Sequence, residues 1–165
     1  MSKLIQAPVH RHEIFAWALF DFANSGYTTV VLTAIFNAYF VGVIAQAYSS
    51  GTATLWWTIA MALANGVVLL TAPIIGAIAD DRAWKKRFLM ISASGCVGFT
   101  TLLATAGPGD VSYAMALVIL ASICFFTGEN LIAAFLPEIA TPDKMGRISA
   151  FGWTIGYLGG LLTLV

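Results

Sequence analysis

The sequence has few charged residues for its length, and this scarcity excludes an ordinary soluble domain. Only 10% of its 165 residues are charged, whereas 59% are hydrophobic and the mean hydropathy is +0.87. A soluble domain of this size needs a charged shell to stay dispersed, and this chain lacks one. The formal net charge is zero, so no excess of positive charge points to nucleic acid. The composition therefore predicts a membrane protein.

Cysteine and histidine are also scarce. The two cysteines, Cys96 and Cys124, lie within apolar runs, so the sequence predicts buried, unreactive thiols rather than a disulfide framework. The two histidines, His10 and His12, are isolated and lie outside the apolar runs. Neither a metal site nor a cofactor is therefore expected.

Five apolar runs divide the chain, and each is long enough, or nearly so, to cross a membrane as a helix. About 20 helical residues span the hydrocarbon core. The runs cover residues 14–45, 55–79, 88–106, 111–136 and 148–165, after an N-terminal segment of residues 1–13. The predicted fold is an all-α membrane protein with five transmembrane helices. Because the fifth run has no polar cap, we expect the bundle to be incomplete and the chain to be part of a longer protein.

Basic residues are absent from the apolar runs and from the connections after the first and third runs. All eight lie in the N-terminal segment or in the connections after the second and fourth runs: Lys3, Arg11, Arg82, Lys85, Lys86, Arg87, Lys144 and Arg147. Basic residues near the ends of spans stay on the cytoplasmic side. The distribution predicts a multi-pass protein with a cytoplasmic N-terminus, in the inner or plasma membrane if its source is bacterial.

Two acidic residues, Asp21 and Glu129, lie inside otherwise apolar runs. A carboxylate in hydrocarbon costs several kcal/mol, so it normally faces a cavity or a partner. From the helical rise, each lies about 13 Å from the cytoplasmic end of its run. No basic residue lies within a run to pair with them. The pattern predicts a proton or cation site; the alternative is that both acids are hydrated near the interface and only shape helix packing.

Polar side chains accompany both acids. Asn24 and Thr28 follow Asp21 at i+3 and i+7 and share its helical face, with Ser25 beside them. Such a stripe either lines an aqueous path or holds helices together through hydrogen bonds. Hydrogen bonds between helices explain Asn24 and Ser25 adequately, but they explain the acid Asp21 less well. The candidate pathway residues are Asp21, Asn24, Ser25, Thr28, Glu129 and Asn130.

Glycine and tryptophan predict how the helices pack and where they meet the membrane surface. Gly152, Gly156 and Gly160 recur every four residues in the fifth run, a spacing that permits close helix contact. Four tryptophans lie near the ends of runs, where an aromatic belt at the membrane interface is expected: Trp17, Trp56, Trp57 and Trp84.

The connection after the second run holds the densest cluster of charge in the chain. Asp80 lies at the carboxyl end of that run, where the helix dipole disfavours a negative charge. A nearby arginine such as Arg82, or the amino end of another helix, must compensate it. A carboxylate held in this way can act as a latch between two arrangements; the alternative is a solvated loop whose acids balance its bases.

This connection resembles the signature loop of the major facilitator superfamily. The likeness consists of Gly76-x-x-x-Asp80 followed by a basic cluster. The superfamily places an arginine directly after the aspartate and a glycine two residues on. In this chain Asp81 intervenes, Arg82 is shifted by one position, and Ala83 stands near the glycine position. The resemblance implies a gating loop that includes Gly76, Asp80 and Arg82.

Two further stretches resemble the vacuole-effluxer branch of this superfamily, the autophagy-related amino-acid effluxers and their bacterial relatives. Residues 17–27 read Trp-Ala-Leu-Phe-Asp-Phe-Ala-Asn-Ser-Gly-Tyr, and residues 134–142 read Ala-Phe-Leu-Pro-Glu-Ile-Ala-Thr-Pro. This second stretch continues through Gly146-Arg147 to Gly-Trp-x-x-Gly-Tyr-x-Gly-Gly at residues 152–160. The resemblance implies a transporter of two six-helix halves, of which this chain is most of the N-terminal half. In that fold the first and fourth helices face the central cavity.

These observations lead to a functional hypothesis. We expect a secondary transporter, or its N-terminal fragment, that moves a small polar solute by alternating access; the resemblance suggests amino acids and efflux. Its partners would be the lipid bilayer, the solute, protons and the missing C-terminal half. Neither enzymatic activity nor nucleic-acid binding is expected. The alternatives are a drug or metabolite exporter of the same superfamily, and a small non-transporting membrane protein that packs against partners.

Overall fold

The computed structural model describes residues 11–165, so most of the predicted N-terminal segment, with Lys3 and His10, lies outside the described residues. Five helices follow one another in the described part: α1 (Arg11–Ile44), α2 (Ser50–Asp81), α3 (Lys85–Leu103), α4 (Val111–Ala133) and α5 (Met145–Leu162). A helical turn, Leu136–Ile139, lies between α4 and α5, and no strand occurs among residues 11–165. The prediction of an all-α protein with five helices is confirmed.

The first helix changes its geometry along its length. It is α-helical over Arg11–Tyr27 and π-helical over Thr28–Ala34 and Phe40–Ile44, with one α-helical turn between the π-helical stretches. A π-helix is wider because each N–H reaches back five residues, as the Ala45 N–H does to the Phe40 carbonyl at 2.9 Å. Such stretches are uncommon and frequently mark functional sites. The first of them begins where the predicted polar stripe ends.

Three helices of the described chain are long and apolar enough to cross a membrane. They are Arg11–Ile44, Ser50–Asp81 and the segment Val111–Ile139, in which α4 continues into the helical turn. The other two predicted runs are also helical, but α3 begins with three basic residues and α5 is rich in glycine, so both are less apolar. That α3 and α5 cross the membrane as well stays a prediction.

The described chain forms two compact units. The first joins α1 as far as Leu32 to the segment Ile132–Val165, and within it α1 packs along α5. The second comprises Thr33–Leu131, which holds the end of α1, all of α2 and α3, and most of α4.

Aromatic rings fill the core of the second unit where the end of α1 meets α2. The ring of Phe40, which is 1% exposed, lies 5.5 Å from the ring of Trp57, and the ring of Phe36 lies 6.2 Å from it. Trp57 is consequently buried, whereas Trp56 is exposed. Of the two tryptophans predicted for an interfacial belt, only Trp56 therefore has an exposed ring, and the depth of both stays a prediction. Consecutive helical side chains point about 100° apart, so only one of the two can face outward.

Both cysteines are free, and one of them lies at the contact between α3 and α4. Cys96 is buried and Cys124 is partly buried. The sulfur of Cys124 lies so close to Gly95 that a Cβ added there would be 2.7 Å from it. The thiol of Cys124 thus occupies the space that a side chain at position 95 would need.

Candidate functional site

The candidate site is built on the contact between α1 and α5. Four buried glycines of α5 face α1: Gly152, Gly156, Gly159 and Gly160. A Cβ added at Gly160 would lie 2.7 Å from Thr29 Oγ1, and one added at Gly159 would overlap the main-chain carbonyl of Phe22. Glycine, which has no Cβ, lets the two backbones approach this closely. The contact therefore depends on small residues along the whole α1-facing side of α5.

Asp21 lies at the centre of this contact. A Cβ at Gly156 would come within 3.0 Å of the Asp21 carboxyl carbon, so the carboxylate rests directly on the α5 backbone. The side chain is partly buried. The basic residues of the described parts of α1 and α5, Arg11 and Arg147, lie about three helical turns away along their helices. Asp21 is thus an acidic group in an apolar contact without a nearby base from either helix.

Two hydroxyl groups, those of Ser25 and Thr29, follow Asp21 along α1 and form a row of oxygen atoms with its carboxylate. Ser25 Oγ donates a hydrogen bond to the Asp21 main-chain oxygen at 2.8 Å, and Thr29 Oγ1 donates one to the Ser25 main-chain oxygen at 3.0 Å. Because both hydroxyl protons are used within α1, the oxygen lone pairs remain for other donors. The row can accept hydrogen bonds or a cation one helical turn apart.

The row differs from the stripe that the sequence predicts. Asp21 and Ser25 belong to both, but Thr29 replaces Thr28 at the contact with α5. Asn24 is partly buried and Thr28 is exposed. The sequence contains the relevant signal, since Thr29 follows Asp21 at i+8 through Ser25 at i+4.

The second predicted acid lies on α4. Glu129 is partly buried there, and its neighbour Asn130 is exposed. The predicted match in height between Glu129 and Asp21 stays a prediction.

Trp17 packs within the first unit, and its predicted place in an aromatic belt stays a prediction. Its indole Nε1 donates a hydrogen bond to the Ile132 carbonyl at 2.9 Å, in the last turn of α4, where helical carbonyls lack a partner within the helix. The same carbonyl accepts the Phe135 N–H of the following turn at 3.2 Å. The indole ring covers Gly152, where an added Cβ would overlap it. Trp17 thereby joins α1 to α5 and to the end of α4.

The turn between α2 and α3 has the hydrogen bonds of a Schellman motif. The Trp84 N–H donates to the Ala79 carbonyl at 2.9 Å, and the Ala83 N–H donates to the Asp80 carbonyl at 3.3 Å. Ala83 has a φ of +53°, in the left-handed region that glycine usually occupies at this point of the motif. Ala83, which stands near the glycine position of the superfamily pattern, therefore has a backbone conformation typical of glycine.

Asp80 is compensated by a residue at the start of α3. Lys85 Nζ lies 2.6 Å from Asp80 Oδ1, whereas the Arg82 guanidinium lies over the Trp84 ring, 5.1 Å from its centroid. The compensating group is thus a lysine side chain, and neither Arg82 nor the dipole of another helix, the two groups that the sequence suggests. A Cβ added at Gly76 would meet no atom within 4 Å, so within the described residues no contact requires glycine there.

Known proteins similar to this chain define its family. The family described as "Vacuole effluxer Atg22 like" matches residues 52–165. The chain belongs to the Atg22-like family. A curated relative named "Uncharacterized MFS-type transporter YxiO", from Bacillus subtilis (strain 168), is 30% identical over 152 residues. The match covers 91% of this chain and 35% of the relative, and no solved structure gives a significant match.

Membership of the Atg22-like family agrees with the motifs in the sequence. The matched residues run from the start of α2 to the end of the chain, and so include the α2–α3 turn, Glu129 and the glycine face of α5. The relative extends the likeness over most of the chain, and its name places it in the major facilitator superfamily. With three helices long and apolar enough to cross a membrane, this Atg22-like chain is an integral membrane protein.

Proposed function

We propose that this Atg22-like chain is part of a secondary active transporter that moves a small polar solute by alternating access. In this mechanism the solute site lies near the middle of the bilayer, between two halves that rock against each other. The chain supplies helices of one half, and the rest of the transporter supplies the other. The motifs at residues 17–27 and 134–160 support amino acids as the solute class and efflux as the direction.

The observation that carries this proposal is the Asp21 carboxylate at the α1–α5 contact. Acidic residues within transmembrane helices are rare and characteristically belong to ion or substrate pathways. Asp21 rests on the backbone of Gly156, with the Ser25 hydroxyl one turn away as a further acceptor. We assign the binding and release of a proton or cation to Asp21, with Glu129 of α4 as a second acid in the same role.

The remaining polar residues have supporting roles in the proposal. Asn24, Thr28 and Asn130 hydrogen-bond the solute or water along the pathway. In the gating loop, the Asp80–Lys85 ion pair stabilises one arrangement of the α2–α3 turn, in place of the contact with Arg82 that the sequence suggests. The distribution of basic residues supports a cytoplasmic N-terminus, which puts this turn on the cytoplasmic side.

Flux measurements with Asp21→Asn test the coupling role. The protein is reconstituted into vesicles loaded with labelled amino acids, both as the 165-residue chain and as the product of any longer reading frame that contains it. In the longer product we expect a pH gradient to drive efflux, and we expect Asp21→Asn to reduce this component at least tenfold. Solute exchange without a gradient should change less than about threefold, because the substitution removes the titrating group and retains the shape.

Glu13→Gln is the matched control, since Glu13 is an exposed acid in the first turn of the same helix. Its gradient-driven efflux should equal that of the unchanged protein. Undiminished gradient-driven efflux in Asp21→Asn would refute the coupling role. Flux of hydrophobic drugs but not amino acids would favour the exporter alternative. If the longer product transports no solute at all, the result favours the alternative of a non-transporting membrane protein that packs against partners. We expect the 165-residue chain alone to be inactive, because two halves form the cavity.

A further inference from the structure

The most strongly charged exposed surface of the described chain lies at the turn between α2 and α3. We define the α2–α3 basic patch as Arg82, Trp84, Lys86 and Arg87. The guanidinium carbons of Arg82 and Arg87 lie 5.1 Å and 5.4 Å from the centroid of the Trp84 ring. The three basic side chains are exposed, while Trp84 is partly buried and packs against Phe88 at 6.3 Å between centroids. The Trp84 indole, which packs against Phe88, thus makes cation–π contacts with both arginines.

The charges in this turn do not cancel. Lys85 forms an ion pair with Asp80, so the three basic residues of the patch have only the negative charge of Asp81 in the same turn to balance them. Lys86 and Arg87 lie in the first turn of α3, where the helix dipole is positive and disfavours basic side chains. An anion bound at the patch would offset both the mutual repulsion of the bases and the unfavourable dipole.

The position of the patch indicates which anion it meets. It directly follows α2, a helix apolar enough to cross a membrane, so it lies where the hydrocarbon gives way to lipid headgroups. Tryptophan is enriched at this depth, and clusters of basic residues next to a span bind anionic lipids. A guanidinium presents a planar pair of donors that matches phosphate oxygens. We infer that the α2–α3 basic patch binds the phosphate of an anionic phospholipid headgroup. This inference requires membrane insertion but not transport.

Lipid retention by the purified chain tests the inference. The protein is equilibrated in micelles that contain equal amounts of phosphatidylglycerol and phosphatidylcholine, and the lipids that remain bound are quantified by mass spectrometry. The variant Arg82→Gln/Arg87→Gln is compared with Arg11→Gln/Arg147→Gln, which removes two basic residues from the first turns of α1 and α5. Because one basic residue near an anionic surface contributes roughly a factor of five and the two factors multiply, we expect the first variant to reduce selectivity for phosphatidylglycerol about 25-fold. The second removes the same number of charges without touching the patch, so we expect it to reduce the selectivity clearly less than the first variant does.

Three results would overturn the inference. An equal loss in the two double variants would show general surface attraction. The variant Arg82→Lys/Arg87→Lys preserves the charge and limits the risk of misfolding. We expect it to lose at least about threefold in selectivity, because the paired guanidinium donors and their contact with the Trp84 ring disappear. Full retention of selectivity by this variant would show that the guanidinium groups are unnecessary. Displacement of phosphatidylglycerol from the unchanged protein by millimolar inorganic phosphate would assign the patch to a free anion. Helix content by circular dichroism must stay the same in every variant compared.

Discussion

Glycine is used differently in two regions of this molecule, the α1–α5 contact and the α2–α3 turn. At the contact, glycine occupies the four α5 positions where a Cβ would overlap or press on α1. At the turn, Ala83 takes a φ of +53° without being glycine. At the contact, glycine is required because atoms of a neighbouring helix fill the space of a Cβ. At the turn, glycine is favoured because the backbone takes a left-handed conformation. An overlap with another backbone cannot be relieved locally, but a left-handed alanine costs only about 1–2 kcal/mol.

Other glycines show that glycine content alone does not mark a contact. A Cβ added at Gly66 or Gly98 would meet nothing within 4 Å, although both lie in the middle of helices. These positions supply controls for the contact, because the same substitution there changes helix propensity without causing overlap.

The largest effect on stability should come from Gly159→Ala. The new methyl group would overlap the Phe22 carbonyl, which belongs to the α1 backbone and cannot move unless the whole helix shifts. We expect a loss of about 3 kcal/mol in the free energy of unfolding, measured by denaturant titration in micelles. Gly98→Ala should gain up to about 1 kcal/mol, because alanine is the better helix former. If both substitutions stabilise the protein equally, α5 does not pack on α1 as described.

A smaller loss is expected for Gly152→Ala, because the obstacle there is a side chain. The added methyl group would meet the Trp17 ring, which can rotate but would then weaken its 2.9 Å hydrogen bond to the Ile132 carbonyl. We expect a loss of about 1–2 kcal/mol. Trp17→Phe shortens the ring system, so the double variant should lose at least about 0.5 kcal/mol less than the sum of the single losses. Strict additivity in this cycle would show that the ring does not cover Gly152.

The sequence predicts the five helices and most of the glycine face because both depend on local patterns. Long apolar runs indicate helices, and the spacing of Gly152, Gly156 and Gly160 indicates one face. A strict four-residue repeat leaves out Gly159, although it follows Gly156 at i+3 and Gly152 at i+7 and therefore shares that face.

The partners of the site residues could not be predicted, because they depend on which element lies opposite. Trp17 has the position of an interfacial tryptophan in the sequence, and only the approach of α5 and of the end of α4 shows that its ring covers Gly152 and its indole N–H binds Ile132. Likewise, Asp80 has Arg82 as a neighbouring candidate partner, but the Schellman turn brings Lys85 within 2.6 Å of it instead. Turn geometry decides this choice, and the charge pattern alone does not.

The smallest predicted effect concerns the turn itself. Ala83→Gly should stabilise the protein by about 0.5 kcal/mol, because relief from the left-handed conformation outweighs the greater freedom of glycine in the unfolded chain. Ala77→Gly is the control: Ala77 is exposed in α2, where glycine should cost about 1 kcal/mol. The two substitutions are chemically identical, so opposite signs in the free energy of unfolding can only reflect backbone conformation. A loss of stability at both positions would mean that Ala83 does not have a left-handed backbone. The α2–α3 turn would then show no preference for glycine to compare with the steric requirement for glycine at the α1–α5 contact.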